Sequence, residues 1–128
     1  MAGTATLTST THGSPGRYTA MSTHSFALTS TSGGAVSGNA KTVSAGKLVQ
    51  VQIVPGSGVT DLFDLTLLNA AGIDLLAGAG ADLAAASAKM LICDPPVVLT
   101  TDLTIDAVLA NAGNVKTVTV TLYVESFN

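Results

Sequence analysis

The chain has 128 residues, a formal net charge of −3 and only 10% charged residues. This length is typical of a single domain, and the acidic balance excludes the basic footprint that nucleic-acid-binding proteins carry. So few charges also exclude a disordered protein kept unfolded by charge repulsion.

Cysteine content and hydropathy limit where the protein is made and how it is stabilised. A single cysteine, Cys93, cannot form an internal disulfide, which fits folding in a reducing cytoplasm. The first six residues have neither a basic nor an apolar segment, so we expect no secretory signal. Residues 67–88 look apolar but contain polar and acidic interruptions, so we expect no membrane span. The mean hydropathy of +0.51 is high, which favours apolar surface buried between subunits.

Large apolar residues are distributed unevenly along the chain. Residues 1–46 contain five Val, Ile, Leu and Phe residues, whereas residues 47–128 contain thirty. We therefore predict two parts, an N-terminal arm at residues 1–16 and a β-domain at residues 17–128. The threonine-rich segment 5–11 suits an extended arm or edge strand ordered against a neighbour, and a mobile polar region is the alternative.

The first half of the β-domain shows strand and turn signals. Residues 17–28 predict a strand, residues 32–34 (Ser-Gly-Gly) predict a turn, and residues 35–43 predict the returning strand of a hairpin. The run from Lys47 to Val54 alternates between apolar and polar residues and is ended by Pro55. We expect its core-facing side chains to be Val49, Val51 and Ile53.

Three further segments alternate with a period of two, at residues 62–68, 103–109 and 117–124. Residues 69–72 predict a turn after the first of them, and residues 73–76 can pair back. The predicted core-facing residues are Phe63, Leu65 and Leu67, then Leu103, Ile105, Ala107 and Leu109, then Val118, Val120, Leu122 and Val124.

The segment 77–90 is rich in alanine and glycine, and we predict a long loop that includes a short helix. The sequence Asp94-Pro95-Pro96 predicts the end of the preceding element and the start of a new strand. Seven to nine short strands predict an all-β fold, an antiparallel β-sandwich of jelly-roll-like or immunoglobulin-like type.

Residues that could carry chemistry are few and scattered. No pair has metal-ligand spacing, and no nucleophile motif such as Gly-x-Ser-x-Gly occurs. We expect Cys93 to be a small buried apolar residue and the acids to be solvated. We therefore predict no catalytic, cofactor-binding or metal site, no cofactor, and no enzyme. The candidates considered are His12, His24, Cys93, Asp61, Asp64, Asp102 and Asp106.

Three runs together resemble small structural proteins of tailed bacteriophages that are encoded among the head genes. They are residues 46–56 (GKLVQVQIVPG), 62–67 (LFDLTL) and 72–83 (GIDLLAGAGADL), and Arg17-Tyr18 matches as well. The resemblance covers residues 17–125. Its motifs concern the fold, and the chain departs from them at Phe63, where the family carries Tyr.

The resemblance implies a virion structural protein, and above all a capsid decoration (cement) protein. Such a protein binds the outside of the phage head and stabilises contacts between major capsid subunits. The implied partners are the major capsid protein and further copies of the chain, as a homotrimer at local threefold positions. The implied location is the capsid surface of the virion, after synthesis in the host bacterial cytoplasm. Two alternatives stay open, a tail, neck or fibre protein, and a carbohydrate- or receptor-binding module. Neither nucleic acid nor membrane is an expected partner.

Overall fold

The computed structural model describes residues 3–12, 21–43, 45–99 and 104–125. These residues form an all-β structure without helices, in which every strand pairing is antiparallel. The eight strands are β1 (Thr4–His12), β2 (Met21–Thr29), β3 (Lys41–Thr42), β4 (Gly46–Pro55), β5 (Asp64–Leu68), β6 (Lys89–Leu99), β7 (Thr104–Ala110) and β8 (Thr117–Glu125).

The strands form one five-stranded sheet, in the order β1-β2-β8-β4-β6, and one three-stranded sheet, in the order β3-β7-β5. The predicted hairpin between residues 17–28 and 35–43 is wrong. β2 pairs instead with β1 and β8, while β3 pairs with β7. The returning segment crosses to the other sheet, where Val36 bridges Leu109 and is fully buried.

Both sheets contribute to a single aliphatic core. Phe26 and Val120 from the five-stranded sheet, and Leu65 and Ile105 from the three-stranded sheet, are all fully buried in it. The predicted core-facing residues of β5, β7 and β8 are confirmed for every position that the structure describes, and Leu103 lies outside the described residues. Strict alternation identified these strands because a period of two places one side-chain set on one sheet face.

The inward-facing residues of β4 were predicted partly wrongly. Val51 and Ile53 are buried as expected, but Val49 is only half-buried and Leu48 takes its place in the core. The pairing of β4 with both neighbours shifts between Leu48 and Gln50. A β-bulge at this point adds one residue to the strand and reverses the side-chain alternation on one side of it.

The prediction that Asp94-Pro95-Pro96 separates two elements is also wrong, because β6 runs through this sequence. The β4–β6 register passes from Leu48↔Val97 to Gln50↔Ile92, so residues 93–96 bulge out opposite a single residue of β4. Proline is tolerated here because β6 is an edge strand, where a missing N–H removes no bond within the sheet.

The loop predicted at residues 77–90 is observed over residues 77–88, without the short helix, and Lys89 and Met90 already belong to β6. Ala77 and Asp82 adopt left-handed backbone angles, with φ of 50° and 53°, which interrupt any helical run. The turn at residues 69–72 is confirmed, since the Gly72 N–H donates to the Asn69 carbonyl at 2.9 Å. The predicted return is limited to one bridge, between Leu68 and Asp74.

Residues 4–12, which belong to the predicted arm, form β1 and pair with β2 of the same chain from Thr4↔Thr29 to His12↔Met21. The side chains alternate from Thr4 to Thr8, with Leu7 packed against the core and Thr4, Thr6 and Thr8 exposed. An arm that reaches a neighbouring molecule stays a prediction. Residues 13–20, including Arg17 and Tyr18, lie outside the described residues.

Candidate docking surface

The chemistry-bearing residues considered from the sequence are not brought together by the fold. His24 lies on β2 and Cys93 on β6, which are separated in the sheet by β8 and β4. The side chain of His12 and all of Asp102 lie outside the described residues. The part of the chain that is described forms no pocket and no group of three side chains able to hold a metal ion.

His24 is buried, with 5% of its surface exposed, and faces the core side of β2. Its Nδ1 lies 2.7 Å from the Ser9 hydroxyl of β1. Burial lowers the pKa of His24, because the charged imidazolium would lose its hydration. The neutral imidazole therefore links the edge strand β1 to β2 through this hydrogen bond.

Cys93 lies in the bulge of β6, half-buried, and packs against the core. Burial raises the pKa of its thiol, which disfavours the reactive thiolate. The predicted apolar role fits this position, although the side chain is less buried than expected.

The acids expected to be solvated also organise loops, and Asp61 is exposed. The Asp61 carboxylate accepts the Ala85 N–H at 2.9 Å. Asp64 accepts the Asp82 N–H and the Asn111 amide, each at 2.8 Å. Asp106 accepts two backbone N–H groups, from residues 38 and 39, at 3.1 and 3.3 Å. Aspartate suits this task because its short carboxylate reaches backbone donors that lack partners in irregular segments.

Sequence reasoning missed the most connected of these carboxylates, Asp74. It accepts the N–H groups of Leu67, Leu76 and Gly78 at 3.1, 3.0 and 2.9 Å, and so fixes the loop after β5. The spacing Asp74-x-Leu76-x-Gly78 was the available signal, since an aspartate commonly accepts from the backbone two residues later. Asp64 and Asp74 lie in the runs 62–67 and 72–83 quoted above, so in this chain those runs contain residues that organise loops.

The outer face of the five-stranded sheet carries rows of hydroxyl side chains, which we call the hydroxyl face. On the adjacent strands β1, β2 and β8, the cross-strand partners on this face are almost all Thr or Ser. Neighbouring strands in a sheet lie about 4.8 Å apart, so these hydroxyls are close to one another. Hydroxyls of Ser25 and Thr121 lie 3.2 Å apart, and those of Thr29 and Thr117 3.3 Å apart. The rows are Thr4-Thr29-Thr117, Thr6-Ala27-Thr119, Thr8-Ser25-Thr121 and Thr10-Thr23-Tyr123.

The same face turns apolar toward its other edge. Four exposed aliphatic side chains of β4 and β6 form what we call the aliphatic strip: Val54, Met90, Ile92 and Val98, with 40, 41, 66 and 60% of their surfaces exposed. The register places them on the hydroxyl-face side, since Met90 and Ile92 pair with Gln52 and Gln50, and Val54 pairs with Thr119.

Between the hydroxyl rows and the aliphatic strip lie longer polar side chains. The Tyr123 hydroxyl donates to Gln52 Oε1 at 3.3 Å. Lys47 of β4 and Glu125 of β8 are cross-strand neighbours in the sheet register at one end of this zone. A surface of short hydroxyls, amides and aliphatic groups without a concavity can contact another macromolecule over a broad area, whereas it cannot enclose a small ligand.

None of the described residues form a helix of the length and hydropathy needed to cross a membrane. No protein-family model, no curated protein and no solved structure matches the chain. The likeness to phage head proteins therefore stays an expectation from the sequence runs quoted above.

Proposed function

We propose that the chain is a capsid decoration protein of a tailed bacteriophage, which binds the outside of the head and stabilises contacts between major capsid subunits. The observation that carries this proposal is the aliphatic strip beside the hydroxyl face. The sequence runs that resemble phage head proteins supply the virion context.

The chemistry of the strip favours a protein partner. Exposed apolar groups that lie together mark interaction sites more often than singly scattered ones do. More than half of the surface of Ile92 and of Val98 is exposed. Covering these side chains would stabilise the complex by about 25 cal/mol for each Å² of apolar surface removed from water. The flanking hydroxyls and amides provide the polar rim that protein interfaces usually have.

The finer description of the fold belongs to the same proposal. We infer that the two sheets face each other as a β-sandwich. The support is that buried side chains from both sheets belong to one core, with Leu28 and Leu122 from one sheet and Leu67 and Leu109 from the other. Such a sandwich would leave the hydroxyl face and the aliphatic strip turned outward for docking.

Head stability tests the proposal. Phage heads made without this gene product should lose DNA at lower temperature than complete heads, and the purified full-length chain, added back, should restore the complete value. We expect Ile92→Asp to fail in this rescue, because it places a charge in the centre of the strip. Ile73→Asp is the matched control, since Ile73 is equally exposed, at 62%, but lies in the loop after β5.

The outcomes separate the alternatives. A decoration protein should occur in the virion at a copy number near that of the major capsid protein. A few copies per particle, found on tails, would replace the proposal by a tail, neck or fibre role. Retention of a sugar on a glycan array, with no binding to heads, would replace it by a carbohydrate-binding module. If Ile92→Asp rescues the heads as completely as Ile73→Asp does, the aliphatic strip is not part of the interface with the capsid.

A further inference from the structure

Of the four sheet edges in the described part of the chain, three are protected against pairing with another molecule. β6 carries Pro95, Pro96 and a four-residue bulge. β3 is only two residues long. β5 is covered by its following loop, whose Gly80 carbonyl accepts the Leu65 N–H at 2.7 Å and whose Leu75 N–H donates to the Leu67 carbonyl at 2.7 Å. Prolines, bulges, short strands and covering loops are the usual means of blocking edge-to-edge association.

Among the described residues, β1 has none of these protections. It is nine residues long, contains no proline and no Asp, Glu, Lys or Arg, and its register with β2 is continuous from end to end. Its even-numbered positions from Thr4 to Thr10 are exposed, while Leu7 on the opposite face is only half-buried. A long edge strand with an uninterrupted register and no Asp, Glu, Lys or Arg is a template for adding another strand.

We propose that β1 pairs with β1 of a second copy of this chain, antiparallel and about a twofold axis through Leu7. In this register Thr4 faces Thr10, Ala5 faces Ser9 and Thr6 faces Thr8 of the second copy. The two five-stranded sheets thereby join into one ten-stranded sheet. The hydroxyl face continues across the junction, because paired residues share parity and so lie on the same side of the sheet.

The strand sequence favours a second copy as the occupant. A twofold axis brings the two copies of any charged residue near it close together, and like charges are destabilising across paired strands. Residues 4–10 of β1 contain no charged residue, so this cost is absent. The threonines meet threonines, a cross-strand pair that is favourable. Each half-exposed Leu7 meets the other Leu7 and loses its remaining water contact.

Two other pairings fit less well. Centring the axis on Thr8 would place Leu7 opposite Ser9, so that an apolar side chain faces a hydroxyl. Pairing β1 with β6 of the second copy would meet the residue 93–96 bulge and two prolines without N–H donors. The Leu7-centred contact goes beyond the proposed function and holds or fails independently of capsid binding.

The mass of the full-length chain in solution is the first test. Sedimentation equilibrium should give about twice 12.7 kDa. The double variant Thr6→Lys, Thr8→Lys places lysines directly opposite each other in the junction and should sediment as a 12.7 kDa monomer with unchanged circular dichroism. The control Ala27→Lys, Thr117→Lys adds the same charge at exposed positions of the same face, on strands paired on both sides, and should stay dimeric.

A disulfide across the axis is the second test, and it fixes the register. In a Cys93→Ser background, Leu7→Cys should form an intermolecular disulfide under mild oxidation, because directly opposite Cα atoms lie about 5 Å apart. Thr4→Cys should not, because the two copies of position 4 are offset by six residues, or about 20 Å.

A monomer at all concentrations, a trimer, a dimer that survives the Thr6→Lys, Thr8→Lys change, or equal crosslinking at positions 4 and 7 would each overturn the proposal. If the Thr6→Lys, Thr8→Lys variant loses its β-sheet spectrum, the sedimentation comparison is not used. The difference in disulfide crosslinking between Leu7→Cys and Thr4→Cys then tests the proposal by itself. A trimer would in turn favour the threefold arrangement that the phage resemblance implies.

Discussion

Individual residues hold the loop after β5 against the sheet through close backbone contacts. Gly80 lies where its carbonyl accepts the Leu65 N–H at 2.7 Å, and a Cβ atom added to Gly80 would overlap the Leu65 carbonyl oxygen. The glycine is required here by space, since backbone approaches backbone, and not by an unusual φ angle.

Replacing Gly80 by alanine should therefore lower the free energy of unfolding by about 2–3 kcal/mol, as expected when a rigid backbone must shift to make room. Gly33→Ala is the control, because its nearest neighbour would be the Thr31 hydroxyl at 3.7 Å, and it should change stability by less than about 0.5 kcal/mol. Urea unfolding followed by circular dichroism measures both. Equal effects of the two substitutions would contradict this account of the loop.

His24 should make the stability of the protein depend on pH. Burial depresses the pKa of His24 in the folded chain, so the unfolded chain binds the proton more readily. The contribution of neutral His24 to the free energy of unfolding is fully present above the ordinary histidine pKa of about 6.5. This contribution is lost as the pH falls from that value toward the lower pKa of the folded state. Its cross-strand neighbours, Ser9 and Leu122, carry no charge that would offset the effect.

The measurement compares urea midpoints at pH 7.5 and pH 5.0 for the natural chain and for His24→Gln, which cannot titrate. His12 is present in both chains, so the difference between the two pH slopes belongs to position 24. We expect the natural chain to lose more stability on acidification than His24→Gln, and parallel slopes would show that His24 is not the titrating group.

At the scale of elements, Asp74 links β5 to the loop that covers its edge. Asp74→Asn keeps the shape but replaces one accepting oxygen by an amide donor, which then opposes a backbone N–H. We expect a loss of about 1–2 kcal/mol and faster hydrogen exchange at the amides of Leu76 and Gly78. Asp82→Asn is the control, because Asp82 takes part in the loop through its backbone N–H. Unchanged exchange in Asp74→Asn would mean that the loop is held by other contacts.

Elements with strict alternation were predictable from the sequence, and those with local irregularities were not. β5, β7 and β8 repeat apolar residues at every second position, so their core-facing sets follow from the pattern alone. Val49 was misplaced because a one-residue bulge reverses the pattern without leaving a distinct sequence mark. β6 was split because proline is tolerated on an edge strand, and a sequence does not reveal which strands are edges.

Strand partners and the docking surface were still harder to predict from the sequence, because they depend on the fold as a whole. The partner of Leu28 on β8 is Val118, ninety residues away along the chain, and no local turn signal connects them. The aliphatic strip has the same origin, since Val54 and Ile92 lie on one face only after β4 and β6 have paired. Asp61, Asp64 and Asp106 looked like solvated acids because their backbone donors come from distant segments.

At the scale of the whole molecule, a twofold contact through β1 would tie thermal stability to protein concentration, because association of folded chains draws the folding equilibrium toward the native state. We expect the Tm of the natural chain to rise over a hundredfold increase in concentration. The Thr6→Lys, Thr8→Lys variant should show a constant Tm, and so should the natural chain if β1 remains an unpaired edge.

The position of β8 has a consequence for synthesis on the ribosome. β8, the last of the eight described strands, lies in the middle of its sheet, where it pairs with β2 on one side and β4 on the other. A nascent polypeptide therefore carries two unsatisfied strands until β8 emerges, and such intermediates are open to aggregation. A truncation before Thr117 would leave two separate pieces of sheet with no strand to join them.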